Sequence, residues 1–235
     1  MTMTLGPFAT AARQQNKSAR TRARLMDAAV EVLARDGFEG ASVNEIVRVA
    51  DMANGTFYVH FRDKEAITVA VSARIVSDLT DQIDQAMTDL DDAVERFSFA
   101  TRQFIEFAHG LPQWGWMILR CAPALRDAYQ PMETHLFSDL VRGRRQGQIP
   151  QDIDAFLVDT IFAMVTAALA ARLRGAAGPE AGSRVSELVL TMLKVPPERA
   201  QEVAWRPVEL REIHLPVLPK VRAQRPVAPL AADAD

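Results

Sequence analysis

One cysteine in 235 residues leaves no intrachain disulfide and no multi-cysteine metal site. That usage fits a reducing compartment. Glycine is scarce, at 11 residues, and clear strand runs are few, so helix is favoured over sheet. No apolar run approaches the roughly 20 residues that span a bilayer. The longest nearly apolar stretch, Ile161 to Ala171, is interrupted by Thr166 and reads as a buried helix. Met1 to Gln15 is short and mixed, without the apolar core of a secretory signal. A cytoplasmic protein with no membrane partner is expected. Catalytic signatures are missing too: there is no GxGxxG, P-loop, HExxH or GxSxG, and the four histidines are scattered. An enzyme is not expected, and nothing calls for a cofactor or metal.

What is present is the balance of a globular chain, 49% apolar and 24% charged, which excludes disorder throughout. The net charge of −3 argues against nucleic acid if taken alone. Its distribution does not. Residues 1–26 hold Arg13, Lys17, Arg20, Arg22 and Arg24 and no acid, whereas residues 71–175 hold 10 basic and 14 acidic side chains. A basic head on an acidic body fits an anionic partner at one end, or a solvated arm.

Hydrophobic periodicity is helical almost throughout. A first helix is predicted over 18–35, with Leu25, Ala29, Val32 and Leu33 on one face and Gly37 past its end. Ser42, with Glu45 three residues on, forms a capping-box pattern for a helix over 43–49. After the break at 50–53, a third helix covers 54–61. A long helix from about 64 to 90 repeats Ile67, Val71, Ile75, Leu79, Ile83 and Met87 every four residues. Further segments follow at 93–108, 112–120 and 123–145, then helices capped by Asp152 and Ser183 that end near 174 and 194. Five prolines from Pro207 to Pro229 predict an extended or disordered tail. The organisation expected is a basic flexible arm at 1–17, a reader domain at 18–76, a helical domain at 77–195 and a Pro-rich tail at 196–235.

Two short helices joined by about four residues suggest a helix-turn-helix. Ile46, Val47 and Ala50 can pack on Phe57 and Phe61, leaving Asn54, Gly55, Thr56, Tyr58 and His60 outward. Small, hydrogen-bonding and aromatic groups at a helix end suit the major groove. A three-helix packing unit that binds nothing has the same pattern.

The residues Ser42-Val43-Asn44-Glu45-Ile46, then 50–53, then Asn54-Gly55-Thr56-Phe57-Tyr58-Val59-His60-Phe61 and Lys64-Glu65-Ala66 resemble the DNA-binding domain of TetR-family transcriptional regulators. The run from Arg24-Leu25 to Ala41-Ser42 is similar to that family's first helix and turn. The likeness covers about a third of the chain. It implies an all-α fold: an N-terminal three-helix DNA-binding domain, then a helical ligand-binding and dimerisation domain. It implies phosphate contacts at Ser42, Val43, Tyr58, His60 and Lys64, and base-edge contacts at Asn54, Gly55 and Thr56. Three residues depart from the pattern: Asp51 where the turn usually has Gly, Ala53 where a Ser commonly caps the reader, and Val47 in place of a small residue. These bear on the operator sequence more than on the fold.

The resemblance also implies an effector among the central segments. Phe104, Phe107, Trp114, Trp116, Met117, Met132 and Phe137 are the candidate lining, with His109, Arg120 and His135 as candidate polar anchors. The same residues at helical spacing also describe plain core. Ala163, Ala167, Ala171, Leu188 and Met192 are the candidate homodimer interface. The function expected is a ligand-responsive repressor that binds a palindromic double-stranded operator as a dimer and is released by a small apolar effector. The alternative is a constitutive or architectural DNA-binding regulator without an effector.

Overall fold

The computed structural model describes residues 7–122, 130–211, 213 and 215, with backbone alone at 130–134. Every regular element among the described residues is a helix. In chain order these are α1 (Pro7–Ala11), α2 (Lys17–Gly40), α3 (Val43–Ala50), α4 (Asn54–His60), α5 (Lys64–Ala86) and α6 (Ala93–Gly110). They continue as α7 (Pro112–Cys121), α8 (Gln130–Arg145), α9 (Ala155–Leu173), α10 (Ala181–Met192) and α11 (Pro197–Trp205).

Side-chain caps fix where the main helices begin. Asn16, Ser42, Asp63, Asp92 and Asp154 each accept from a backbone N–H in the first turn of α2, α3, α5, α6 and α9. Each such cap contributes about 1 kcal/mol. The cap of α9 is therefore Asp154; Asp152 is instead exposed and pairs with Arg144. Ser183 caps nothing: α10 starts earlier, at Ala181, and Ser183 is buried inside it. The capping box at Ser42 is half formed. Ser42 Oγ accepts from the Glu45 N–H at 3.2 Å, but the Glu45 carboxylate is held by Arg35 and Arg48.

α2 bends at Gly37, whose φ of 69° is open to glycine at little cost. The bend ends the straight part of α2 near the predicted boundary and turns Phe38 towards the body. Leu25, Ala29, Val32 and Leu33 are fully buried, as the periodicity required. α5 stops at Ala86, one turn short of the predicted end, because Met87 leaves helical geometry. It packs on α2 of the head and on α6, α7 and α8 of the body. α6 is the centre of the body, in contact with α5, α7, α8, α9, α10 and α11. Gly115 lets α7 lie tightly on α6: a Cβ there would stand 2.7 Å from the Ala108 carbonyl oxygen.

Two helices lie where no helix was expected. α1 falls within the segment read as a flexible arm. Phe8, Ala9 and Ala12 are buried, and both carboxylate oxygens of Asp27 accept from α1, at 2.9 Å from Phe8 N and 2.8 Å from Ala9 N. α11 falls within the segment read as tail. Pro197 sits in its first turn, where proline opens a helix rather than breaking one, and Ala200, Val203 and Ala204 are buried.

Candidate nucleic-acid interface and cavity

The head is built on α3 and α4. Ile46, Val47, Ala50, Phe57 and Phe61 are buried between them and α2. Asp51 makes the turn with φ 53°, a left-handed conformation that Asp tolerates better than most residues. Ala53 provides no side-chain cap, so the first N–H groups of α4 stay open. The outward face of α4 is Asn54, Gly55, Tyr58 and Val59, with Thr56 and His60 half-buried at its flanks. Tyr58 is 59% exposed and Val59 78%.

Val59 was missed by the sequence reading, which counted it neither as core nor as contact. A valine this exposed on a short helix is an apolar contact surface, and it lies one turn from Gly55. Asn54 Nδ2 donates to Asn44 Oδ1 at 3.1 Å, tying α4 to α3. Nothing lies within 4 Å of a Cβ built on Gly55, so that backbone faces open space. Val43 is half-buried against the core, and Ser42 is exposed, its Oγ accepting the cap bond while its O–H remains a donor.

Lys64 is turned inward. Its ammonium donates to the Phe38 carbonyl at 2.9 Å and the Ala41 carbonyl at 3.1 Å, and lies 4.3 Å from the centre of the Phe38 ring. The opposite cation is Arg120, 3.8 Å from the same ring and 2.9 Å from Glu39. Phe38 thus joins the bend of α2 to α5 and α7. Gln113 Nε2 adds a bond to the Leu33 carbonyl. Two arginines of the basic segment are also engaged: Arg24 donates to the Ala50 carbonyl at 3.0 Å, and Arg22 lies 4.9 Å from the Phe61 ring centre. On α3, hydrogen bonds from Arg48 and then Arg35 pull the Glu45 carboxyl down to about 2.

The body contains a partly open cavity of about 80 Å³ between α5, α6, α8 and α9. Its apolar walls include Ile83, Phe97, Phe104, Leu136, Ile161 and Val165, and its polar groups are Thr80, Asp84, Thr101, His135 and Asp139. Of the expected lining residues whose side chains are described, only Phe104 borders it. Trp114 and Met117 are buried in the core, Phe107 is half-buried beside it, and Trp116 and Phe137 are exposed. Met132 lies outside the described side chains. Of the expected anchors, His135 borders the cavity, His109 does not, and Arg120 is committed to Phe38.

The polar wall was not visible in the sequence because its members are distant in the chain: Arg96 and Asp139 lie 43 residues apart. Arg96, almost fully buried, donates from Nε to Asp139 Oδ1 and from Nη2 to Asp84 Oδ1, both at 2.6 Å, and from Nη1 to the Met87 carbonyl at 2.9 Å. Burial pushes the Asp139 carboxyl up, against the pull of Arg96. His135 Nε2 lies 3.3 Å from Asp81 Oδ1.

Residues 25–71 match the family described as bacterial regulatory proteins, tetR family. The uncharacterised HTH-type regulator YvdT of Bacillus subtilis is 37% identical over 60 residues, 26% of this chain and 31% of that protein. The A-factor receptor protein of Streptomyces griseus is 33% identical over 90 residues, 38% of this chain and 33% of the receptor. In both, the match spans about a third of the relative's length.

The match extends through the body in three dimensions. The crystal structure of RolR in complex with resorcinol aligns with a TM-score of 0.75 and 26% identity over 83% of this chain and 98% of that one. Residues 25–71 are a TetR-type DNA-binding domain, and the fold of the described residues is that of TetR-family transcriptional regulators. A more distant TetR-like fold is FadR of Bacillus subtilis in complex with stearoyl-CoA, with a TM-score of 0.57 and 19% identity over 74% of this chain and 97% of that one. Within the TetR frame, the outward face of α4 is the candidate DNA reader, and the α5–α6–α8–α9 cavity lies in the helical body behind it.

Proposed function

We propose that this chain is a dimeric, ligand-responsive repressor that reads a palindromic operator through α4. The observation that carries the reading is the path of α5. Its first residues pack against the head, and Thr80, Ile83 and Asp84 near its other end line the cavity. One rigid element therefore touches both candidate sites. RolR with resorcinol and FadR with stearoyl-CoA are regulators of this fold seen with small molecules.

Dimerisation is supported by α9 and α10. α9 is 19 residues long with a mean hydropathy of 1.7, enough by length and composition to cross a membrane, yet 28% of its apolar window is buried. Its outer stripe carries Phe156, Ala163 and Ala167, continued on α10 by Leu188; Ala171 and Met192 are half-buried at its margin. Phe156 is 79% exposed and Leu188 61%. An apolar face of this kind fits a second copy forming a four-helix bundle across a two-fold axis.

The test is a footprint on the DNA flanking the chain's own gene, followed by titration of the protected duplex in rising salt. A symmetric footprint with two half-sites one helical turn apart is expected. Equal affinity for unrelated duplexes would overturn the repressor reading. Specific binding that no small molecule alters would leave the constitutive regulator in its place.

A further inference from the structure

The chemistry of the cavity wall narrows what can enter. Arg96 holds two carboxylates of the cavity wall, Asp84 and Asp139, and its guanidinium is further spent on the Met87 carbonyl. It is not available to an anionic ligand. Asp84 and Asp139 each give Oδ1 to Arg96, and neither Oδ2 has a hydrogen-bond partner among the described residues. The other basic groups at these carboxylates use the same oxygens: Arg142 Nε lies 4.0 Å from Asp139 Oδ1 and also pairs with Asp91, and His135 Nδ1 lies 3.7 Å from Asp84 Oδ1, so among the described residues the wall presents hydrogen-bond acceptors and no uncommitted guanidinium to an anion. The remaining lining is apolar and aromatic. An engineered apolar cavity of about 150 Å³ encloses benzene; at about 80 Å³ this one encloses only part of a ring, so a single ring fits only with the rest of it in the open side, and nothing larger than one ring fits.

We propose that the cavity takes a small uncharged molecule, one apolar ring bearing a hydroxyl, whose O–H donates to Asp84. This rests on the effector reading above and selects one ligand class within it. A phenol is the simplest member: it is neutral near pH 7, since its hydroxyl titrates near 10. An acyl-CoA is excluded by length and by its phosphates, a benzoate by its charge. A hydrogen bond to a charged acceptor in a mostly apolar site discriminates strongly against an isostere that lacks the donor.

The experiment is calorimetric titration of the purified full chain with phenol, toluene, benzoate and palmitoyl-CoA, with operator affinity measured in parallel. Phenol is expected to bind about ten-fold or more tighter than toluene or benzoate. Asp84→Asn should erase most of the preference for phenol over toluene while leaving toluene binding unchanged. Asp84 is partly exposed, so that variant is less exposed to misfolding than one at Asp139. Ala100→Phe, which fills the cavity, should abolish phenol binding with the melting temperature retained. Equal binding of phenol and toluene, tighter binding of benzoate or palmitoyl-CoA, or no phenol binding would each overturn the proposal. The two readings fail separately. Release of DNA by palmitoyl-CoA alone sinks the ligand class and keeps the ligand-responsive repressor, whereas phenol binding that leaves operator affinity unchanged keeps the ligand class and sinks the repressor reading.

Discussion

Tyr58 and Val59 stand side by side on α4, yet they should fail differently when changed. A phenolic hydroxyl at the edge of a reading helix is placed for phosphate, so Tyr58→Ala should weaken binding about equally on all duplexes. Val59 offers an apolar surface of the kind that meets a thymine methyl. Val59→Ala should therefore change base preference at one position per half-site, read by competition between duplexes substituted there. Glu45 carries a pH signature. Arg48 and Arg35 hold its carboxyl near 2, below the ordinary 4.5, so its contribution to stability is full above about pH 4.5 and lost as pH falls towards 2. The melting temperatures of wild type and Glu45→Gln should differ at pH 7 and converge in acid. The difference should be small because the pair is exposed. Sequence reading named Tyr58 from its neighbours in a specific run, and the structure leaves its ring exposed. It passed over Val59 because valine at one position of a helix looks like core until its exposure is known. Lys64 failed the other way: a lysine at a helix start reads as a free cation, whereas here two carbonyls at the bend of α2 claim it.

At the scale of elements, what was legible depended on how far a helix's partners lie in sequence. α3 and α5 carry their caps locally, and α4 the turn that precedes it, and their predicted bounds hold to within a few residues at most ends. α1 and α11 owe their form to distant groups. Asp27 lies 18 residues beyond the α1 residue it caps, and the Val203 carbonyl of α11 accepts from Ser98, 105 residues earlier. Short-range pattern has no access to either. The cavity has the same origin, since Arg96 finds Asp139 only after α6 and α8 have packed. For α9, the small-residue stripe was legible, but Phe156 was not, because an aromatic at a helix start reads as inward. Ala167→Glu should introduce a carboxylate into the proposed two-fold bundle and shift wild-type dimer to monomer in sedimentation, with helix content preserved, because Ala167 is exposed within one subunit. A monomer for the wild type at micromolar concentration would remove the interface.

For the whole molecule, the relevant quantity is the coupling between cavity and head, commonly about 1–3 kcal/mol in allosteric proteins. Besides α5, Phe38, in contact with both Lys64 and Arg120, connects them beside the Gln113–Leu33 bond. Arg120→Ala removes one side of that contact and the bridge to Glu39 while leaving the cavity wall intact. Effector affinity and operator affinity, each measured alone, should change by less than about five-fold, since an exposed cation–π contact contributes only about 0.5–1 kcal/mol. The factor by which effector weakens operator binding should shrink. An unchanged factor would mean that α5 carries the coupling without Phe38.

α5 is also a ruler. From Asp84 at the cavity to Lys64 at the head it runs 20 residues, about 30 Å at 1.5 Å per residue. A rotation of about 5° at the cavity end carries the head sideways by about 2.6 Å, and a symmetric pair of such levers alters the span between heads by up to about 5 Å. Successive bases along one strand are only about 3.4 Å apart. A displacement no larger than a side-chain rearrangement is therefore amplified into a mismatch of more than one base step. Distances between spin labels on α4 of the two subunits, with and without phenol, would measure the arc directly.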